Sequence, residues 1–308
     1  MPGALVVLNP AASRSIDPTR LAAFFNPLRD RGWSVELRPT TGPGTATELA
    51  RLAAEAGREL VIAAGGDGTV NEVVQGLAHS DTALGVLPLG MVNIWATEIG
   101  VPRRTAEAVA ALVSGTVRRV DVGAVDWSNG HRRYFLLMAG LGFDAEVVRR
   151  TDRRLKRALG PFAYVWRALQ TAPRYPGAAV DLVLPHETLP CHSLMIHAGN
   201  TRLYAGRVQL TPRALADDGQ LDLRVLSGRG VWRIVHYLLS LLGNRALDAK
   251  MVLSLRVARV AVRAVPALPV QVDGEFAGYS PVELSVAPLA LKAIVPCQYR
   301  SGLFQTLD

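Results

Sequence analysis

Ala4–Leu8 is an unbroken apolar run that stops at Asn9-Pro10, which predicts a strand buried on both faces and ending in a loop. Ile16–Arg31 reads as a helix, and Trp33–Arg38 alternates as a strand does. Ala46–Gly57, rich in Ala, Leu and Glu, predicts a second helix ending at its glycine. Leu60–Ala64 is another buried strand. After it Val70, Val73, Val74 and Leu77 fall at i, i+3, i+4 and i+7, one apolar helical stripe. Leu84–Leu87 reads as strand and Ala106–Ser114 as helix. Strands and helices in alternation predict an open, mostly parallel α/β sheet.

Beyond Val122 the texture changes. Tyr134–Ala139, Ala179–Leu184, Ser193–Ala198, Val208–Thr211, Leu221–Leu226, Ser254–Val262, Val270–Val272 and Val282–Val286 are short strand-like runs separated by Gly, Pro and Asp. That spacing predicts an antiparallel sandwich or barrel. Two helical segments interrupt it, Arg153–Gln170 and Val231–Leu242. The second is apolar nearly all round, which reads as core or pocket wall. No internal repeat or low-complexity linker divides the two regions.

Composition adds bounds. The 308 residues suffice for two domains with proper cores. The two cysteines, Cys191 and Cys297, lie far apart and form no disulfide framework, which fits a cytoplasmic chain or one indifferent to redox state. Met1–Pro10 lacks the basic and apolar regions of a secretory signal. Val231–Leu242, interrupted by Arg233 and His236, falls short of the roughly 20 residues that span a bilayer. A net charge of +8 asks for an anionic partner. No recognition motif supports nucleic acid in that role.

The candidate chemistry lies in Gly65-Gly66-Asp67-Gly68-Thr69, between a predicted strand and a predicted helix. A glycine turn feeding a helix N-terminus offers backbone N–H groups and the positive end of the helix dipole, which suit a phosphate. Asp67 is the informative residue, since a carboxylate beside a polyphosphate is repulsive unless a metal ion or a transferable proton lies between them. Phosphoryl transfer to an alcohol needs both. Taken alone, the same five residues also describe a simple turn with Asp67 as N-cap. The Gly-Lys-Ser/Thr ending of a Walker loop, the Rossmann glycine pattern and the G-x-S-x-G elbow are all missing. The six histidines show no zinc-ligand spacing.

Leu5-Val-Val-Leu-Asn9-Pro10, Gly65 through Glu72, and Leu87-Pro-Leu-Gly90 with Asn93 resemble the catalytic domain of diacylglycerol kinases, sphingosine kinases and the related bacterial lipid kinases. Ala139–Ala145, the stretch from Pro212 to Asp222, and Val272-Asp-Gly-Glu275 continue the resemblance in the same order over nearly the whole chain. It implies an α/β nucleotide-binding domain over 1–122, completed by 291–308. It further implies a mainly antiparallel β-sandwich lipid-substrate domain over 123–290, with the active site in the cleft between them. ATP and Mg²⁺ are the implied cofactors. Asn9, Thr41, Gly65, Gly66, Gly68, Thr69, Pro88, Gly90 and Asn93 match nucleotide-binding positions. Asp67 and Glu275 match catalytic acids, Glu275 as the base, while Asp273 would support the metal or hold Glu275. Asp218 matches an acid associated with a structural magnesium.

Two departures stand out. The family's loop continues Leu-Gly-Thr-Gly/Ala-Asn-Asp, whereas this one reads Leu89-Gly-Met91-Val-Asn-Ile94. A hydroxyl, a small residue and a carboxylate are thereby replaced by the apolar side chains of Met91, Val92 and Ile94. The resemblance thus implies an ATP-dependent lipid kinase, with an NAD-kinase-like nucleotide kinase or a catalytically weak lipid-binding protein as alternatives. The expected partners are a lipid alcohol and an anionic membrane surface, with a homodimer left open. For the membrane, Arg149, Arg150, Arg153, Arg154, Lys156 and Arg157 precede the apolar Leu159–Trp166, as in a peripheral enzyme resting on anionic lipid. The same run would also suit a solvated helix face.

Overall fold

A computed structural model describes residues 1–14, 16–152, 160, 162–204, 208–242, 251–299 and 302–305. The expected basic positions Arg153, Arg154, Lys156 and Arg157 lie outside them. Contacts divide the chain into two compact units. The first is Met1–Val122 with Ala216–Asp218 and Pro288–Asp308; the second is Gly123–Leu215 with Gly219–Ala287.

In the first unit, β1 (Gly3–Leu8), β2 (Ser34–Pro39), β3 (Leu60–Gly65) and β4 (Ala83–Pro88) are parallel, in the order β2-β1-β3-β4. The last residues of β17 (Val282–Val295) add a further parallel strand beside β4. β1, β3 and β4 are buried along their whole length, as continuous apolar runs covered on both faces must be. Helices α1 (Pro18–Ala23), α2 (Asn26–Arg29), α3 (Thr45–Glu55), α4 (Asp67–Leu77), α5 (Ile94–Glu98) and α6 (Thr105–Ser114) connect them. The stripe Val70, Val73, Val74 and Leu77 is buried as its spacing predicts.

The single helix expected over Ile16–Arg31 is two short ones. Asp17 caps the first through the N–H groups of Thr19 and Arg20, and Pro27 sits in the first turn of the second. Proline has no N–H to give and its ring blocks the preceding turn, so one continuous helix cannot form.

The second unit is mainly antiparallel, a β-sandwich-like fold. It begins in the later part of β5 (Thr116–Trp127), which pairs with β6 (Arg132–Phe135). The path β16-β15-β7-β9-β8-β14-β17 then joins β7 (Met138–Gly142), β8 (Ala178–Val183), β9 (Thr188–Gly199), β14 (Arg259–Val265), β15 (Pro269–Val272) and β16 (Glu275–Tyr279). β12 (Leu221–Ser227) lies between β9 and β13 (Val252–Val257). β10 (Leu203–Tyr204) and β11 (Val208–Gln209) form a small hairpin. The core includes Phe135, Leu141, Ile196, Leu223, Val262 and Val272.

Among the described residues, three α-helices belong to this unit: α7 (Phe143–Arg150), α8 (Phe162–Thr171) and α9 (Val231–Leu242). They cover a second cluster built on Phe143, Val147, Leu226, Ile234 and Tyr237. The expected strand Tyr134–Ala139 is in fact two strands, parted at Leu136-Leu137. α9 is not core on all sides: Ile234 and Tyr237 are buried while Trp232 and Leu239 are exposed.

Candidate active site

Four loops leave the carboxyl ends of the first unit's parallel strands: Asn9-Pro10 after β1, Thr40-Thr41 after β2, Gly66 after β3 and Leu89-Gly90 after β4. The strand order reverses between β1 and β3, so Asn9 and the glycine loop flank the topological switch point. In open α/β sheets this is where ligands bind.

The loops are tied together by their own chemistry. Asn9 Nδ2 donates to Thr69 Oγ1 at 3.0 Å, and Asn9 N–H donates to Ala64 O at 2.9 Å. Leu89 and Gly90 both donate their N–H to Gly65 O, at 2.9 and 3.1 Å. Buried Asn93 answers Gly90 in both directions, its Oδ1 accepting from Gly90 N–H at 2.9 Å and its Nδ2 donating to Gly90 O at 2.7 Å. Its φ of 56° lies in the left-handed region that asparagine tolerates. The Asn93 side chain is therefore taken up in shaping the loop. Gly66 and Gly90 meet backbone to backbone: a Cβ on Gly66 would stand 3.3 Å from Gly90 Cα. Pro88 ends β4 opposite Gly65.

Asp67 opens α4, whose N-cap Gly66 supplies no side-chain acceptor. The first-turn N–H groups of such a helix have no intrahelical partner and suit an anion. The carboxylate is half-buried and its Oδ1 accepts Ile94 N–H at 2.6 Å. The position where the family carries an acid thus serves Asp67 through its backbone, which isoleucine keeps. Met91 is exposed, and its carbonyl accepts from Arg103.

Sequence reasoning missed Glu72. Its two oxygens accept the N–H groups of Gly44 and Ala46 at 3.0 and 3.1 Å, capping α3 from a neighbouring helix. Thr41 approaches that same helix start, its Oγ1 lying 3.2 Å from Thr45 Oγ1. The charge of Glu72 therefore holds the Thr41 loop against the glycine-loop helix. The sequence foreshadows it only as the last residue of the Gly65–Glu72 stretch that resembles the family, with no role attached.

The second unit holds Asp273 and Glu275 on the turn between β15 and β16. Asp273 and Gly274 have φ of 46° and 81°, with Val272 paired to Glu275, a two-residue turn of the kind Asp-Gly favours. The Asp273 carboxylate is buried. It accepts three N–H groups, from Leu136 at 2.9 Å, Leu137 at 3.0 Å and Met138 at 2.9 Å. Those bonds lie where the expected single strand is parted. Glu275 is exposed and paired with Arg133 at 2.5 Å.

Asp218 is half-buried in the first unit. Its neighbour Asp217 accepts Gln305 N–H at 2.8 Å, tying down the C-terminal segment. Among the described residues, no three His, Cys, Asp or Glu side chains gather as a ready metal cage. Asp144, buried in the second unit, stands 3.6 Å from His197 and accepts from Gln271 Nε2 at 3.2 Å. Burial pushes the His197 pKa below its usual value.

Family comparison agrees with this geometry. Residues 3–125 match the diacylglycerol kinase catalytic domain, and residues 138–295 match the YegS C-terminal NAD kinase beta sandwich-like domain. A diacylglycerol kinase of Bacillus subtilis is 30% identical over 286 residues, covering 92% of this chain and 93% of its own. A Chromohalobacter salexigens protein named "Probable lipid kinase YegS-like" is 35% identical over 273 residues, 87% of this chain and 86% of its own. The crystal structure of a Bacillus anthracis diacylglycerol kinase shares the fold with a TM-score of 0.74 at 21% identity, over 97% of this chain and 98% of that one. No helix among the described residues is long and apolar enough to cross a membrane. With an α/β unit carrying the glycine loop at its switch point and a β-sandwich-like unit carrying the Asp-Gly-Glu turn, the chain belongs to the bacterial lipid kinase family.

Proposed function

We propose that this kinase transfers the γ-phosphoryl group of ATP, with Mg²⁺, to the hydroxyl of a lipid of the diacylglycerol or sphingoid kind. The observation that carries this reading is the gathering of Asn9, Thr41, Gly65–Thr69 and Pro88–Gly90 at one edge of the parallel sheet. There the backbone N–H groups of the glycine loop and of the α4 start receive the polyphosphate. Mg²⁺ takes one or two carboxylates and completes its shell with phosphate oxygens and water, so Asp67 supplies enough protein donor for it. Held there, the ion would neutralise charge on the transferring group.

In the reaction, the lipid hydroxyl oxygen bonds to the γ-phosphorus as the bond to the bridging oxygen breaks, and ADP leaves. The hydroxyl proton goes to Glu275. Arg133 now neutralises that carboxylate and must release it for the transfer. Asp273, its oxygens filled by three N–H groups, holds the turn that carries Glu275. Asp218 is assigned to a structural Mg²⁺; its Asn variant should lose any gain in melting temperature that Mg²⁺ gives the wild type. The chain is expected to work at an anionic membrane surface.

The test incubates the protein with labelled ATP, Mg²⁺ and a total lipid extract, then identifies the labelled lipid. Labelling of a diacylglycerol or sphingoid base supports the reading. Labelling of NAD instead, with no labelled lipid, would replace it with a nucleotide kinase.

A further inference from the structure

α8 and α9 each carry two apolar faces, and only one of the two is used inside the protein. The inner faces meet the same cluster, Tyr164 and Ala168 from α8, Ile234 and Tyr237 from α9. Both helices pack on the turn Ala172–Arg174. Along the outer face of α8, Phe162, Val165, Trp166 and Leu169 fall at i, i+3, i+4 and i+7, exposed by 74%, 55%, 52% and 61%. On α9, Trp232 and Leu239 are 79% and 62% exposed. A solvated helix would carry polar side chains at those positions. Large apolar patches of this kind mark a binding surface.

Charge selects the occupant. Neither helix contains an acidic residue, and each contributes an arginine: Arg233, and Arg167, which stands 4.0 Å from Asp152. Upstream, Arg149 and Arg150 are already paired with Glu146, at 2.8 and 2.5 Å. The residues before α8 add Arg153, Arg154, Lys156 and Arg157, following the single acid Asp152. An apolar face with aromatic residues, preceded in sequence by a basic run, matches the boundary of an anionic bilayer.

We infer that the outer faces of α8 and α9 insert into the interface of an anionic membrane, with Phe162, Trp166 and Trp232 as the anchors. The choice of a bilayer rests on the lipid-kinase reading, because that substrate is dissolved in one. The apolar faces stand without it.

The experiment uses the full chain with vesicles of phosphatidylcholine containing about a third phosphatidylglycerol. Wild type should co-sediment with them. Its tryptophan emission should shift to the blue and be quenched by lipids brominated on their acyl chains. The double variant Trp166→Ser, Trp232→Ser should bind at least about a hundredfold more weakly, about tenfold for each side chain withdrawn from the interface. Trp33, Trp95 and Trp127 remain in it, so its residual emission should stay unquenched. A second variant, Phe162→Ser with Leu169→Ser, should weaken binding in the same way and keep the wild-type melt. Both should phosphorylate a short-chain, monomeric diacylglycerol at the wild-type rate.

Wild type that stays in the supernatant, or variants that sediment like wild type, would overturn the inference. So would a wild-type dimer that the variants dissociate while vesicle binding stays unchanged, which would make these faces an interface between copies. Vesicle binding that depends on the anchors, without phosphorylation of any lipid, would sink the kinase reading and leave this one standing.

Discussion

Replacing Gly90 with alanine asks whether the two phosphate loops work as one unit. A Cβ at Gly90 would stand 2.7 Å from Asn93 Oδ1 and 3.2 Å from Gly66 N, and closer still to Gly66 Cα. Carbon atoms pack at about 3.5–4.0 Å, so the loops would have to part by about 1 Å. Gly90 does not lie among the positive-φ residues, so alanine meets no backbone strain there. The whole effect is displacement. It stretches the bonds from Leu89 and Gly90 to Gly65 O and those between Gly90 and Asn93. Forcing a methyl into such a contact costs about 1–3 kcal/mol. A misplacement of about 1 Å at a reacting group costs about a hundredfold in rate.

Gly66→Ala is the internal comparison. Its Cβ meets only Gly90 Cα, at 3.3 Å, a contact relieved by a few tenths of an ångström. Initial rates would be measured against ATP with a short-chain diacylglycerol, alongside thermal melts. Gly90→Ala should lose about a hundredfold in kcat/KM for ATP and Gly66→Ala less than about tenfold. Gly90→Ala within about threefold of wild type, or a larger loss in Gly66→Ala, would refute the reasoning.

The remaining predictions concern the carboxylates and one histidine. Asp67→Asn keeps an oxygen for Ile94 N–H but loses the charge, so the rate should fall about 10²–10⁴-fold with an unchanged melt; a variant keeping more than about a tenth of the rate removes Asp67 from the chemistry. Glu275→Gln should lower kcat and leave ATP binding as it was, whereas lost ATP affinity with kcat preserved would move Glu275 to nucleotide or metal binding. Asp273→Ala strands three buried N–H groups and should destabilise the protein by about 3 kcal/mol or more, so a wild-type melt would contradict its place in the fold. Burial holds the folded pKa of His197 below its ordinary 6.5, so the unfolded chain takes up that proton first as pH falls. The stability His197 contributes is thus full above pH 6.5 and lost below it; His197→Gln should flatten that part of the profile in urea unfolding between about pH 5 and 8.

How much of this was legible beforehand follows the range of the forces involved. β1, β3 and the α4 stripe were readable because burial imposes its period on adjacent residues. The parting of Tyr134–Ala139 was not, because its cause is Asp273, some 137 residues away in sequence. The split of Ile16–Arg31 had its cause in view at Pro27, and the helical period masked it. The exposed face of α8 was hidden in another way. Its sequence is apolar on both sides, and periodicity does not say which side meets the core.

The same limit governs the acids. By residue type, Glu72, Asp67, Asp273 and Glu275 are interchangeable carboxylates near glycine turns, and resemblance alone marks Asp67 and Glu275 as catalytic with Asp273 in support. What separates them is how much of each carboxylate is already spent on the protein. Asp273 receives three backbone N–H groups and Glu72 two, so both fix loops. Asp67, half-buried at a helix start, accepts Ile94 N–H at its Oδ1. Glu275 is itself exposed and held by an ion pair to the half-buried Arg133, a pair that must open before the carboxylate takes a proton. A group that must bind a metal or take a proton needs acceptor capacity left over. On the proposed reading Glu275 is the carboxylate left to take the proton, while Glu72 and Asp273 are committed to the loops they fix.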